Sequence, residues 1–254
     1  MQTLPKVSVL IPAFNEEKYI ARTLAALINQ DYPHFEMIIA DNASTDRTAL
    51  LIQQFIDRQP ATGISIRLVH ENRKGTNFAR ECARQVATGS IIAQLDADCI
   101  PPVNWIRKGV ATLCRNKQVA VTGPYDYFDG GKWMRISTLL SQKIFYPFVS
   151  EFVQLIGRGA ILVGGNAFIR AAVLERNGGY NTALTFYGDD VDLGKSLAKY
   201  GHVAYASGLV QRSSSRRYKA NGFWKVNKKY QSYFWNLVWH KDDLLQTMET
   251  SHPR

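Results

Sequence analysis

Through the first part of the chain, short apolar runs alternate with stretches whose apolar positions recur at helical spacing. Lys6-Val7-Ser8-Val9-Leu10-Ile11-Pro12 has the length and composition of a buried strand closed by proline. Asn15 is placed to cap a helix carrying Glu16 and Glu17 in its first turn and Ile20, Leu24, Leu27 and Ile28 on one face. Residues 35–41 form a second strand, running into Asp41-Asn42-Ala43-Ser44-Thr45-Asp46, a turn that opens a helix bearing Ile52, Phe55 and Ile56. A third strand follows at 64–69, a helix from about Thr76 to Thr88, and a fourth strand at 90–95. Strands alternating with helices at this spacing predict an α/β fold built of βαβ units around a mostly parallel sheet.

Past residue 120 the rhythm changes. Residues 119–123 read as another strand, and 131–157 as a long amphipathic stretch containing Trp133, Leu140, Ile144, Phe145, Phe148 and Phe152. The apolar segment around Gly164-Gly165-Asn166 precedes a helix and the turn at Gly178-Gly179. A further helix spans 189–200, opened by Asp189 and Asp190, with Gly201 placed to cap its end.

Composition narrows the class. A chain of 254 residues with 46% hydrophobic and 20% charged positions suits one large domain or two small ones and excludes disorder. No apolar run has the length of a membrane span, and the first residues lack the basic-then-apolar order of a signal peptide. Cys82, Cys99 and Cys114 are odd in number and lack paired or His-linked spacing, so reduced thiols in a cytoplasmic protein are expected. The net charge of +10 calls for an anionic partner: nucleic acid, anionic lipid or a phosphorylated substrate.

Parallel sheets bind ligands beyond the carboxyl ends of their strands. The polar segments after the strands should therefore converge on one rim. Asp96-Ala97-Asp98 puts two carboxylates where they could share a Mg²⁺ or Mn²⁺ bound to a diphosphate. Asp41 could accept hydrogen bonds from a base or ribose, or simply hold the turn. Gly75 and Arg80, beside Arg73 and Lys74 at a helix start, favour an anion. Asp189, Asp190 and Asp192 suit a helix N-terminus through its dipole. Two adjacent acids, partly buried, would also leave one with a raised pKa and fit to act as a general base.

In order, Pro12-Ala13-Phe14-Asn15-Glu16, Asp41-Asn42, Gly75 to Arg80, Asp96-Ala97-Asp98, Gly164-Gly165-Asn166 and Asp189-Asp190-x-Asp192-Leu193 resemble the family 2 glycosyltransferases of the GT-A fold, over roughly residues 5–218. The resemblance implies a Rossmann-like central sheet flanked by helices, and inverting transfer of a sugar from a nucleoside diphosphate, UDP- or GDP-linked. Pro12, Ala13, Phe14, Asn15, Glu16 and Asp41 would then hold the nucleotide, with Gly75 and Arg80 beside it. Asp96 and Asp98, flanking Ala97, would serve ribose, metal and diphosphate. Gly164, Gly165 and Asn166 would border donor sugar and acceptor. Asp190 would be the base, Asp189 its acidic neighbour, and Arg216 and Arg217 would meet the departing diphosphate. The sequence departs from the family pattern in Asp41-Asn42 for Asp-Asp and in Asp189 for a common Glu. Where some relatives supply a metal-binding histidine, Gln211 and Arg212 stand here, and His202 lies earlier.

A catalytic domain at 1–218 would leave 219–254 as a basic aromatic extension. From Ser207 to Lys241 the cations include Arg216, Arg217, Lys219, Lys225, Lys228, Lys229 and Lys241, with no Asp or Glu, among aromatics such as Tyr218, Trp224, Tyr230, Tyr233, Trp235 and Trp239. This stretch could pack on the core, dock on the inner face of an anionic membrane to meet a lipid-linked acceptor, or bind single-stranded nucleic acid. The placement of the charge favours diphosphate and membrane over nucleic acid. Two other classes fit the totals, a nucleotidyltransferase that makes the donor and a non-catalytic binding module. The segment Pro12–Glu16 lacks the glycine-rich basic loop of the first.

Overall fold

The computed structural model describes residues 4–59, 63–184, 188–228 and 231–232. In chain order the elements are β1 (Val7–Ala13), α1 (Ile20–Ile28), β2 (Phe35–Asp41), α2 (Thr48–Arg58), β3 (Ser65–His70), α3 (Thr76–Gln85), β4 (Ile91–Leu95), β5 (Cys99–Ile100) and α4 (Trp105–Arg115). Then follow β6 (Ala120–Thr122), β7 (Tyr125–Tyr127), α5 (Lys132–Leu155), β8 (Asn166–Arg170), α6 (Ala171–Arg176), α7 (Asp189–Leu197), β9 (Val203–Tyr205), β10 (Gln211–Ser213) and α8 (Arg216–Asn221).

Seven strands form the main sheet in the order β3-β2-β1-β4-β8-β6-β9. The first four run parallel, as expected. β8 is antiparallel to both neighbours, β4 and β6. A small sheet, β5-β10-β7, sits beside the carboxyl ends.

Period-2 burial sorts the strand residues between two cores. Val7, Val9 and Ile11 pack with Ile20, Leu24, Ile52, Trp105 and Ile106 under α1, α2 and α4. Leu10, Ile38 and Ile92 pack with Ala79, Ala83, Leu174, Leu193 and Leu197 under α3, α6 and α7. The sheet is thus covered on both faces, which is why its central strands read as continuous apolar runs. On one face Gly109 of α4 leaves room for Phe168 of β8, since a Cβ there would lie 2.3 Å from its ring. Trp105 stacks on the same ring with centroids 4.6 Å apart.

Two local expectations change. α1 begins at Ile20, not after Asn15, with Tyr19 at its cap position. Asn15 adopts φ +53° and spends its side-chain oxygen on the Thr45 N–H at 2.9 Å, so it fastens two loops together. α7 stops at Leu197 with Ala198 at its C-cap, ahead of Gly201. The boundary expected at 218 falls inside α8. Tyr230, Tyr233, Phe234, Trp235, Trp239, Lys229 and Lys241, on which the extension's docking was argued, lie outside the described residues. Its described start packs back on the body, with Lys219 Nζ 3.2 Å from Asp129 and Val226 buried.

The amphipathic stretch forms one helix, α5, with its polar side toward the body. Its buried positions are mostly polar: Thr138, Gln142 and Ser150, with Val153. Gln142 accepts from the Tyr125 N–H at 2.9 Å and donates to the Tyr125 carbonyl at 3.3 Å. Gln154 does the same for Val203, at 2.9 Å both ways. The two amides thereby satisfy backbone at the outer edges of β7 and β9, groups that would otherwise be left unpaired. Pro147, inside the helix, frees the carbonyl of Lys143, and the Ser207 hydroxyl donates to it at 2.9 Å.

Candidate active site

The loops after β1, β2, β3 and β4 meet on one rim, as the topology requires. The Asn42 N–H bonds the Ala13 carbonyl at 2.8 Å, and the Glu16 N–H bonds Thr48 Oγ1 at 2.7 Å. The Asn42 side chain clamps the next loop. Its amide donates to the carbonyls of Glu71 and Arg73, at 3.0 and 2.7 Å, and accepts from the Gly75 N–H at 2.8 Å. Gly75 caps α3 at φ +149°, a conformation that favours glycine.

Within this rim Asp41 is buried, and its Oδ1 has no hydrogen-bond partner among the described residues, while Oδ2 lies 3.5 Å from His70 Nδ1. A buried carboxylate oxygen without a donor is costly. It fits a ligand N–H or O–H. Lys74 caps the Phe14 ring face at 5.2 Å.

The second half of the chain brings its acids to the same place. Arg80, 3% exposed, is the hub: Nη1 reaches Asp189 at 3.0 Å and Asp190 at 3.2 Å, and Nη2 reaches Asp96 at 3.3 Å. Helix α3 thus contributes an organiser of the acids, where the sequence suggested an anion contact. Tyr125 donates to the other Asp96 oxygen at 3.1 Å. Gly164 and Gly165 run directly past these carboxylates. A Cβ on Gly164 would lie 1.9 Å from Asp190 Oδ1, and one on Gly165 2.4 Å from the Asp96 carboxylate. Glycine is needed here for close approach. Burial, then the neighbouring Asp189 charge, raises the Asp190 pKa to about 7, against the pull of Arg80 and the Gly164 N–H. Asp190 nonetheless keeps 35% of its side chain open to solvent.

Asn166 does not border the cleft through its side chain. It is fully buried, accepts from Trp105 Nε1 at 2.8 Å and donates to the carbonyls of Leu209 and Pro124 at 2.7 and 3.3 Å. It braces the glycine loop from beneath.

Asp98 lies on the other side of Asp96. Burial raises its pKa to about 7, Arg216 opposing and Asp96 and Glu16 adding to the rise. Arg216 Nε sits 3.0 Å from Asp98, and its guanidinium grips both oxygens of Glu16. Arg217 also lowers the Asp98 pKa through its charge. Arg216 therefore stands beside the Asp96–Asp98 loop, paired with Asp98 and Glu16. Ligand atoms of Asp96, Asp98 and Cys99 lie within 4.8 Å of one another. The thiol is buried and held protonated by burial and the Asp98 and Asp96 charges, so a hard dication fits the two carboxylates. His202 is engaged elsewhere, 3.0 Å from Glu151.

Tyr125 and the hub position of Arg80 had no signal in the sequence. Tyr125 lies on a three-residue strand, too short to show a period.

The glycosyl transferase family 2 model matches residues 8–178, which hold the nucleotide rim, the Asp96–Asp98 loop and the glycine loop. Glycosyltransferase AglE of Haloferax volcanii is 30% identical over 192 residues, 74% of this chain and 60% of that protein. The UDP-Glc:alpha-D-GlcNAc-diphosphoundecaprenol beta-1,3-glucosyltransferase WfgD of Escherichia coli is 29% identical over 47% of this chain and 46% of its own. The chain therefore spans 60% or less of the length of these relatives. Among solved structures, the mannosyltransferase PcManGT from Pyrobaculum calidifontis, in complex with GDP-Man and Mn²⁺, superposes with a TM-score of 0.68 at 24% identity, over 93% of this chain and 69% of that one. The fold is the expected GT-A arrangement, and the chain belongs to glycosyl transferase family 2.

Proposed function

We propose that the protein transfers a sugar from a nucleoside diphosphate sugar to an acceptor hydroxyl with inversion at the anomeric carbon. The observation that carries this reading is Asp190. It is a carboxylate with a pKa near neutrality, open to the cleft and tied through Arg80 to the Asp96–Asp98 loop. A base so poised takes a proton from a hydroxyl at neutral pH, which contributes ~10²–10⁴-fold in rate. Arg80 holds it in place, and the neighbouring Asp189 charge keeps its proton affinity high. Asp41 and the Pro12–Glu16 segment receive the nucleotide, and Gly164 and Gly165 leave space for the sugar. Asp96 and Asp98 hold Mg²⁺ or Mn²⁺, and a dication there offsets the charge that builds on the leaving diphosphate. Arg216 and Arg217 add to that offset once the diphosphate competes with Glu16 for Arg216.

PcManGT binds GDP-Man with Mn²⁺, and WfgD by name uses UDP-Glc and a diphosphoundecaprenol acceptor. These names support a UDP- or GDP-linked donor and a lipid-linked acceptor, met by a catalytic domain peripheral to the inner face of an anionic membrane. A thermal-shift screen of nucleoside diphosphates and their sugars with Mg²⁺ or Mn²⁺ tests the donor. One nucleoside diphosphate series should raise the melting temperature by mass action, and turnover should release nucleoside diphosphate. Release of pyrophosphate would make it a nucleotidyltransferase instead, and binding without turnover a non-catalytic module.

A further inference from the structure

Helix α5 presents to solvent what most helices bury. Every fourth residue from 136 to 156 is apolar and exposed: Ile136, Leu140, Ile144, Phe148, Phe152 and Ile156. Such a row winds slowly round the helix, by about 40° per step, so its residues spread over the solvent-facing half of α5 along about 30 Å, with Leu140, Ile144 and Phe148 at the centre. Trp133 and Phe145 widen it at 84% and 63% exposure, and Leu155 extends it at 86%. The fold has no need of this face, because α5 is fastened to the body through Gln142, Gln154 and Ser207 on its polar side. A stripe of this size left in water is a binding surface.

Charge and composition identify the partner. Lys132 heads the same row, Lys143 precedes Ile144, and Arg158 follows Ile156. All three are exposed and carry no ion pair among the described residues. Glu151 is the one acid in α5; it lies 3.0 Å from His202 and stays exposed among the apolar residues. The aromatics include a Trp at the helix start, as at a membrane–water boundary. A protein partner with a matching apolar groove would not need cations at the ends and margin of the stripe. Anionic headgroups would. No described helix is long and apolar enough to cross a membrane, which fits a helix lying in the interface plane. The surface is also coupled to the acids, since Gln142 holds the backbone of Tyr125 and the Tyr125 hydroxyl holds Asp96.

We propose that α5 docks flat on an anionic lipid bilayer through the exposed apolar half-face centred on Leu140, Ile144 and Phe148, with Lys132, Lys143 and Arg158 on the headgroups. This rests on the membrane-peripheral reading above and relocates the contact from the basic aromatic extension to α5. The test is co-sedimentation of the full chain with phosphatidylcholine vesicles, with and without phosphatidylglycerol, in low and high salt. Binding should require phosphatidylglycerol and weaken with salt. Phe148→Glu and Leu140→Glu should each lower the vesicle partition coefficient on the order of 10-fold or more, with unchanged melting temperature and mass in solution. Lys225→Ala with Lys228→Ala should change it far less.

Several outcomes overturn the inference. A fall in melting temperature in both glutamate variants means that residues of the same chain cover this half-face. A wild type that sediments as a dimer, split by Phe148→Glu, means that a second copy does. Vesicle binding lost only in the Lys225/Lys228 variant leaves the membrane reading standing and removes α5 from it. No vesicle binding at all removes both. Sugar transfer plays no part in this readout, so it stands or falls separately.

Discussion

The two ends of the parallel strands each hold a buried acid, and the acids behave oppositely. At the amino end Glu36 is 2% exposed and accepts from Ser8 Oγ at 2.6 Å, the Thr88 N–H at 2.8 Å, Thr88 Oγ1 at 2.9 Å and Arg67 at 2.7 Å. Burial alone would raise its pKa. The Ser8 and Thr88 donors and the Lys6 charge outweigh that and hold it at about 2. At the carboxyl end Asp96, Asp98, Asp189, Asp190 and Glu16 share Arg80 and Arg216, and burial with acid–acid repulsion lifts Asp98 and Asp190 to about 7. Burial sets the penalty in both places, and the supply of donors and cations decides its sign. Glu36 belongs to a completed network. The opposite rim is short of positive charge, a state that a dication relieves.

The comparison can be broken most severely at Glu36. Glu36→Ala removes the acceptor for Ser8, Thr88 and Arg67 and should cost about 3 kcal/mol in urea unfolding, while transfer per folded molecule stays unchanged. A change in kinetics would mean the amino end is not purely structural. Next is Gly164→Ala, whose Cβ must displace the Asp190 carboxylate. Misplacing a reacting group by about 1 Å costs ~10²-fold, so kcat/KM should fall by about that factor with stability little changed.

Smaller, and opposite in sign at the two ends, is the pH dependence of stability in chelator. Asp98 and Asp190 bind protons more tightly folded than unfolded, so their contribution is fully present below the usual carboxylate pKa. It is lost as pH rises through about 7. Glu36 contributes above the usual glutamate pKa and loses its share as pH falls toward about 2. Melting temperature should therefore decline from about pH 4 to 7, and Mn²⁺ with the preferred donor should flatten the decline. A metal-independent slope would show that Asp98 does not meet the ion. The smallest effect is that of Tyr125→Phe. It removes one hydrogen bond to Asp96, worth about 1 kcal/mol, and should lower kcat/KM only several-fold.

The sequence made the half of this site built on β1 and β2 legible because those strands are long. Seven consecutive apolar-rich residues in β1 and in β2 fix where Ala13 and Asp41 stop and the loops begin. The half built on the later strands was legible through its acids and glycines but not through its framework. β5, β7, β9 and β10 have two or three residues each, below any readable period, and they carry or align Cys99, Tyr125 and Gln211. Asn166 shows the limit of reading by motif, since its amide turns inward to Trp105 and Leu209. The composition of residues 131–157 announced an amphipathic stretch. It could not announce which side faces the body, because that depends on the two sheet edges that Gln142 and Gln154 complete.

The central claim is that the raised carboxylate at the carboxyl end removes the acceptor proton. Turnover and donor affinity of Asp190→Asn, measured on the donor and acceptor the wild type uses, test it most directly. Transfer should fall by about 10²–10⁴-fold with the donor dissociation constant little changed, and the acidic limb of the wild-type pH–rate profile, near 7, should disappear from the residual activity. Near-normal turnover by Asp190→Asn with donor binding intact would contradict the account.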